Sequence, residues 1–242
     1  FSNPKQDRYD LFMKTLSILI PVFNEEGTIA RLIEAVRGVD IGEVRKEIVV
    51  VDDGSSDGTF AALEKVPDIV LLRHGKNQGK GAAIRTAIAH ATGDVIIIQD
   101  ADMEYDPGDY PSLIQPILNG QAKVVYGSRR LRKTNKQHSG IFFFFGGVGL
   151  TWLTNCLYPG ARITDEPTCY KTFEADLLRS IPLKCSRFEF CPEITAKVLK
   201  RGHRIVEVPI SYFPRHAGEG KKIKLRDGIE AIWTLLKYRF VD

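Results

Sequence analysis

Apolar residues in the first hundred positions fall into short solid runs separated by spaced patterns. Leu16–Val22 (LSILIPV), Glu47–Val51 (EIVVV), Ile69–Arg73 and Val95–Ile98 are aliphatic and too short for buried helices. Each reads as a strand, the first and last of them buried. Between them the apolar positions take helical spacing. Ile29, Leu32, Ile33 and Val36 mark one amphipathic helix, Phe60 and Leu63 a short second, and Ile84, Ala87 and Ile88 a third. Asn24 is placed to cap the first and Asp57 the second. Strands and helices alternating at this interval predict parallel β-α-β units with right-handed crossovers.

The second half is less regular. Tyr110, Leu113, Ile114 and Ile117 predict a helix, and Lys123–Tyr126 a strand. A basic segment, Arg129–Lys136, is followed by an apolar stretch, Ile141–Tyr158, with four consecutive phenylalanines at Phe142–Phe145. Ser186–Lys200 contains a helix, Ile205–Ile210 a late strand, and Leu225, Ile229, Ile232 and Leu236 define a closing amphipathic helix. No repeat or low-complexity linker interrupts the chain, so residues 1–242 are expected to form one domain.

Composition narrows the setting. The net charge of +4 is too mild to argue for nucleic acid, yet it suits an anionic substrate or membrane surface. Cys156, Cys169, Cys185 and Cys191 lack metal-ligand spacing, which points to reduced thiols in a cytoplasmic protein. Phe1–Thr15 is polar and mixed, so no secretory leader is expected. Ile141–Tyr158 is the candidate lipid contact: an interfacial helix beside basic residues that would meet anionic headgroups, or alternatively a core helix. Peripheral attachment to the cytoplasmic face of a membrane would follow from the first.

Candidate chemistry gathers where strands stop. The Val95–Ile98 run leads to Asp100 and Asp102, and residues two apart on extended chain point the same way. Ligands of open α/β sheets bind at the strands' carboxyl ends. Two converging carboxylates need a cation between them, and a hard divalent ion suits oxygen ligands. A polar turn is the competing reading. Glu47–Val51 likewise runs into Asp52 and Asp53. Gly79 and Gly81 would let backbone approach a ligand, with Lys80 as a point charge, although the spacing is not that of a P-loop.

These residues sit in segments that resemble the family 2 glycosyltransferases with a GT-A fold, and more narrowly the dolichyl-phosphate mannose or glucose synthases. The segments are IPVFNEE (Ile20–Glu26), VVDDGSSDGT (Val50–Thr59), NQGKGAA (Asn77–Ala83), QDADME (Gln99–Glu104), YGSR (Tyr126–Arg129), FEFCPEITAK (Phe188–Lys197), EVPISYFPR (Glu207–Arg215) and EGKKIKLRDG (Glu219–Gly228). They cover most of the chain in the family's order.

The resemblance implies a Rossmann-like, mostly parallel sheet flanked by helices, with a nucleotide-binding half at about 14–127 and an acceptor half at about 128–242. It implies an inverting hexosyltransferase that uses UDP-glucose or GDP-mannose. Pro21, Phe23, Glu25, Asp52, Asp53, Lys80, Asp100, Ala101 and Asp102 would hold the nucleotide sugar, with turn-capping as the alternative for Asp52. Asp100, Asp102 and Glu104 would hold Mg²⁺ or Mn²⁺.

The acceptor implied is a polyprenyl phosphate, clamped by Arg129, Arg215 and Lys221. A phosphate is already ionised and needs cations, whereas a sugar hydroxyl needs a general base. Hydroxyl-directed relatives place an aspartate where this chain has Cys191, although Glu189 and Glu193 flank it. The alternatives are a glycan or lipid hydroxyl acceptor, or an inactive nucleotide-sugar-binding scaffold. A homo-oligomer is compatible with all of these.

Overall fold

The computed structural model describes residues 13–135, 141–214 and 225–241. The expectations placed on Lys136, Arg215, Lys221, Lys222 and Lys224, and on the Phe142 and Phe143 side chains, lie outside the described residues.

Seven strands form one sheet: β1 (Thr15–Val22), β2 (Arg45–Asp52), β3 (Val70–Arg73), β4 (Val95–Ile98), β5 (Val124–Ser128), β6 (Lys171–Glu174) and β7 (Ile205–Pro209). Their spatial order is β3-β2-β1-β4-β6-β5-β7. β1 pairs in parallel with β2 and β4, β2 with β3, and β5 with β7. β6 alone is reversed, antiparallel to both β4 and β5. Its amino end therefore lies with the carboxyl ends of the other six.

Side chains alternate across each strand, and the central strands β1, β4 and β5 are buried on both faces, whereas the edge strand β3 is not. Leu19, Val49, Val51, Ile96 and Ile98 join Ala83, Ile84, Phe190 and Ile194 in one core layer. Ile18, Ile20, Val50 and Ile97 join Ile29, Leu32, Ile33, Leu113 and Ile114 in the other. The helices that supply these partners are α1 (Ile29–Gly38), α3 (Lys80–His90), α4 (Tyr110–Leu118) and α7 (Phe190–Lys200). Two short helices, α2 (Thr59–Leu63) and α6 (Ala175–Ser180), complete the connections. α5 (Ile141–Leu157) and α8 (Leu225–Phe240) pack on one another, and α8 also packs on α7.

Three expectations change. Asn24 does not cap α1: it takes a left-handed backbone (φ 51°), and its side-chain oxygen accepts from the Ser56 amide at 2.9 Å. It thus ties the loop after β1 to the loop after β2. Asp57, by contrast, accepts from the Thr59 amide at 3.0 Å in the first turn of α2.

The second change concerns α8. Its buried face is Ala231, Thr234, Leu235 and Tyr238, whereas Ile229 and Ile232 are exposed. Tyr238 fits this side because Lys197 of α7 lies 4.2 Å above its ring. The third is that the extended chain stops at Ile98. Residues 101–102 turn, and Met103 is left-handed (φ 58°), so Asp100 and Asp102 do not share a strand face.

Candidate active site

The carboxyl ends of the parallel strands open into a cleft of about 1210 Å³. Pro21, Phe23, Glu25, Asp53, Lys80, Asp100, Ala101, Asp102, Glu104 and Arg129 all line it. Asp52 does not. It is fully buried, accepts from the Ser55 amide at 3.1 Å and pairs with Arg73 Nε at 3.2 Å, which is the turn-capping alternative.

Asp53 is bound on three sides. Its Oδ1 accepts from the Gln78 amide at 2.9 Å and faces His74 Nδ1 at 2.7 Å, while Oδ2 accepts from the Gly79 amide at 2.7 Å. An ionised carboxylate only accepts, so His74 Nδ1 carries the hydrogen. The other ring nitrogen lies 3.0 Å from the Thr86 hydroxyl. Asp53 thereby fixes the loop that starts α3 while lining the cleft.

The glycines of that loop serve a different purpose from the one expected. Gly79 has φ +97°, and a Cβ there would meet the Ser186 carbonyl oxygen at 2.4 Å; a Cβ at Gly81 would lie 2.8 Å from that of Arg187. The Gly81 and Ala82 amides donate to the Arg187 and Ser186 carbonyls, both at 3.0 Å. The close approach is to the protein's own backbone. The first turn of α3 is capped by it, so these amides are not free for a phosphate.

Gln99 anchors the acidic turn. Its side-chain oxygen accepts from the hydroxyls of Tyr110 (2.7 Å) and Tyr170 (2.6 Å), all three residues being buried. Asp100 forms an ion pair with Lys80, whose ammonium also lies 3.1 Å from Cys169 Sγ. Burial opposes the charge on Lys80, but Asp100 together with Cys169 and Cys191 outweighs it and raises the ammonium's pKa well above its ordinary value. Asp102 Oδ1 accepts from the Glu104 amide at 3.2 Å, and Glu104 Oε2 from the Tyr212 hydroxyl at 3.1 Å.

Among the described residues, no three His, Cys, Asp or Glu side chains converge as a metal cage. The groups that face the cleft here are nonetheless carboxylate oxygens. Such a donor set fits a hard divalent ion that completes its shell with phosphate oxygens and water.

Opposite chemistry occupies another wall. Arg129 follows β5, and Asp165 grips it: Nε donates to Oδ2 at 2.7 Å, Nη2 to Oδ1 at 2.6 Å, and the Arg129 amide to Oδ2 at 2.9 Å. Burial pushes the Asp165 carboxyl up, but Arg129 more than offsets this and holds it below the usual range. The guanidinium lies 5.0 Å from the Tyr212 ring centre. That of Arg130 lies 5.6 Å from the ring of Phe144, on α5. Arg132 is engaged by Asp109 at 3.0 Å.

The two acids flanking Cys191 are already used. Glu189 accepts from the amides of Ser186 (2.6 Å) and Arg187 (2.9 Å). Glu193, fully buried, accepts from those of Lys184 (2.8 Å) and Cys185 (2.6 Å) and pairs with Lys197. Cys191 Sγ faces the Thr168 carbonyl at 3.6 Å.

Asp165, Glu166 and Cys169 also line the cleft, and the sequence reading missed them. They precede β6, whose reversal brings its amino end to the site. Glu207 secures the segment by accepting from the Thr164 amide (2.7 Å), the Thr164 hydroxyl (2.8 Å) and the Asp165 amide (3.0 Å). The available signal was an adjacent acid pair, Asp165-Glu166, a short turn ahead of β6.

A mostly parallel α/β sheet thus gathers carboxylates, a lysine and a clamped arginine at its strands' carboxyl ends, where α/β enzymes bind their ligands. The sequence model of glycosyl transferase family 2 matches residues 17–164, and the chain belongs to that family. It is 31% identical over 224 residues to the uncharacterized protein MJ1222 of Methanocaldococcus jannaschii, covering 90% of each chain. It is 25% identical over 244 residues to a UDP-N-acetylglucosamine–dolichyl-phosphate N-acetylglucosaminyltransferase of Methanococcus voltae, covering 92% of this chain and 95% of that one. Three other relatives are longer, and the chain spans 61%, 54% and 58% of them. Among solved structures, glucosyl-3-phosphoglycerate synthase from Mycobacterium tuberculosis, crystallised with Mn²⁺, uridine-diphosphate-glucose and phosphoglyceric acid, superposes with a TM-score of 0.73. It is 20% identical, with 100% of this chain and 85% of that chain covered. That likeness establishes the fold.

Proposed function

We propose that this glycosyltransferase moves a hexose from a nucleotide sugar, UDP-glucose or GDP-mannose, to a polyprenyl phosphate, with inversion at the anomeric carbon. One observation carries the choice of acceptor: the cleft that holds Asp100 and Asp102 also holds cations set against an apolar wall. Arg129 and Arg130 line it together with Phe144, Leu150, Ile229 and Ile232 of α5 and α8. A phosphate head on an isoprenoid chain is the acceptor with both features. A nucleotide sugar and dolichyl phosphate stand in the name of the Methanococcus voltae relative.

Residues 14–127 would then bind the donor and 128–242 the acceptor, within one domain. Pro21, Phe23, Glu25 and Asp53 would hold the nucleoside, with Asp53 accepting from the base or ribose. Asp100, Asp102 and Glu104 would hold Mg²⁺ or Mn²⁺, which when bound supplies Lewis-acid neutralisation of the leaving diphosphate. Both ions accompany the nucleotide in structures of the Mycobacterium tuberculosis synthase. Arg129, pre-aligned by Asp165, would orient the acceptor phosphate, whose ionised oxygen needs no base. Arg215 and Lys221 are proposed for the same phosphate.

The exposed apolar side chains support attachment at a membrane surface. No described helix is long and apolar enough to cross a membrane. Phe145 (62%) and Trp152 (67%) on α5, and Ile229 (65%) and Trp233 (64%) on α8, are exposed. On this reading α5 and α8 would lie in the interface plane.

The test is release of UDP or GDP from the sugar nucleotide with Mn²⁺, with polyprenyl phosphate or with unphosphorylated polyprenol and glycans as acceptors. Stimulation by the phosphate alone is expected. Stimulation by hydroxyl acceptors alone would overturn the reading.

A further inference from the structure

We infer that Glu166 reads the hydroxyl groups of the transferred sugar and makes the cleft selective for a neutral hexose over a uronic acid. This rests on the donor and acceptor sites proposed above.

Glu166 is fully buried yet lines the cleft, and among the described residues neither carboxylate oxygen has a hydrogen-bond partner. A buried polar group without a partner is costly, and native structures rarely keep one without a use. The protein's own donors are engaged elsewhere. The Lys171 ammonium donates to the Glu166 main-chain carbonyl at 2.8 Å and lies 3.6 Å above the Tyr126 ring. The Thr195 hydroxyl bonds that of Tyr126 at 3.0 Å. The Arg129 guanidinium is held by Asp165. The Glu166 amide donates to the Thr151 hydroxyl at 3.1 Å, which fixes the residue's backbone.

Its place in the chain says what it faces. One residue earlier, Asp165 holds Arg129, the acceptor-phosphate clamp. Three residues later, Cys169 touches Lys80, the partner of Asp100 at the donor-diphosphate end. The turn between them is short: the Thr168 amide reaches back to the Asp165 carbonyl at 3.4 Å. In a transfer the sugar must lie between the leaving diphosphate and the attacking phosphate. Glu166 lines the cleft from the short turn that joins the residues assigned to those two groups.

A carboxylate with free lone pairs accepts from hydroxyls, which a hexose presents around its ring. A uronic acid would bring a second carboxylate to the same buried wall, where like charges repel strongly.

The experiment is displacement of bound UDP, with Mn²⁺, by UDP-glucose and by UDP-glucuronate. GDP, GDP-mannose and GDP-mannuronate replace them if the wild type binds GDP. The wild type is expected to prefer the neutral sugar about ten-fold or more, the equivalent of one charge-assisted hydrogen bond. Glu166→Gln should bring that ratio toward one and leave the affinity for the bare diphosphate unchanged. Glu166→Ala, which removes the same charge, is the second variant.

A wild type that binds both sugars equally would overturn the inference. So would variants that keep the wild-type ratio; if they also lose turnover, Glu166 is a general base instead. Absence of UDP and GDP binding in the wild type would be a different failure, since it removes the donor site on which the inference rests.

Discussion

Asp165 and Arg129 form a two-pronged ion pair at the cleft, with the Asp165 side chain 1% exposed and that of Arg129 23% exposed. Removing one partner from such a pair leaves the other charge uncompensated, at a cost of about 3–5 kcal/mol. Asp165→Ala and Arg129→Ala should therefore each shift the urea midpoint strongly. Their double variant should lose less than the sum, because the contact is broken once. Asp165→Asn keeps the shape and loosens the arginine, so it should raise the acceptor KM far more than the donor KM. Midpoints equal to the wild type would show that the pair holds nothing in place.

Asp102 makes a contrasting prediction. Asp102→Asn removes one charge from the proposed cation site and keeps an oxygen that can accept from the Glu104 amide. The melting temperature should stay near that of the wild type, while Mn²⁺-dependent stabilisation by UDP or GDP disappears. A ligand present at a hundred times its Kd adds about 2.7 kcal/mol, so the loss is readable as a thermal shift. Undiminished Mn²⁺-dependent stabilisation would remove Asp102 from the proposed ligand set.

Gly79 supports the site without touching the proposed substrate. Its backbone is left-handed, and a Cβ would strike the Ser186 carbonyl. Gly79→Ala should cost roughly 1–3 kcal/mol for the backbone conformation alone. It should also weaken nucleotide affinity, because the Gly79 amide is one of the donors that fix Asp53. A variant as stable as the wild type would mean that the loop shifts freely away from residues 186–187.

These relationships separate what periodicity reveals from what it hides. β1, β2, β4 and the helices α1 and α3 were legible because burial imposes a pattern of solid runs and spaced apolar positions. β6 was not: of its residues, Lys171 is buried through its own partners, Glu166 O and the Tyr126 ring, which no hydrophobic pattern records. α8 misled for a related reason. Its apolar stripe at Ile229 and Ile232 lines the cleft, while Thr234 and Tyr238 fill the core side. Asp100, Asp102 and Arg129 could be named from sequence, but their partners could not. Lys80 and Asp165 reach them from 20 and 36 positions away.

The apolar residues outside the core give a prediction about surfaces. Trp152 and Trp233 stand on α5 and α8, 67% and 64% exposed. Replacing both by Ser should leave the melting temperature nearly unchanged, since little packing is lost. Binding to anionic liposomes should fall sharply, because each large apolar side chain buried in lipid contributes roughly 1.5–3 kcal/mol. A large drop in melting temperature, or liposome binding equal to the wild type, would exclude these helices as the membrane contact.

Glu166 supplies the pH prediction. Burial pushes its carboxyl above the ordinary value, and the charges of Lys171 and Arg129 only partly oppose this, while Asp165 adds to it. The folded state therefore binds a proton more readily than the unfolded chain, whose glutamates titrate near their ordinary value of about 4.3. Between the unfolded and folded pKa values the native state holds more protons. Stability from this group thus falls as pH rises through that window and stays low above it. Glu166→Gln removes the ionisation and keeps the shape. It should melt above the wild type at pH 8, and the difference should shrink steadily as pH falls toward about 4. A gap that is constant with pH would show that Glu166 is not ionising in a buried setting. A variant less stable than the wild type at pH 8 would mean that the carboxylate has a charged partner inside the fold, and that it is not held in reserve for a ligand.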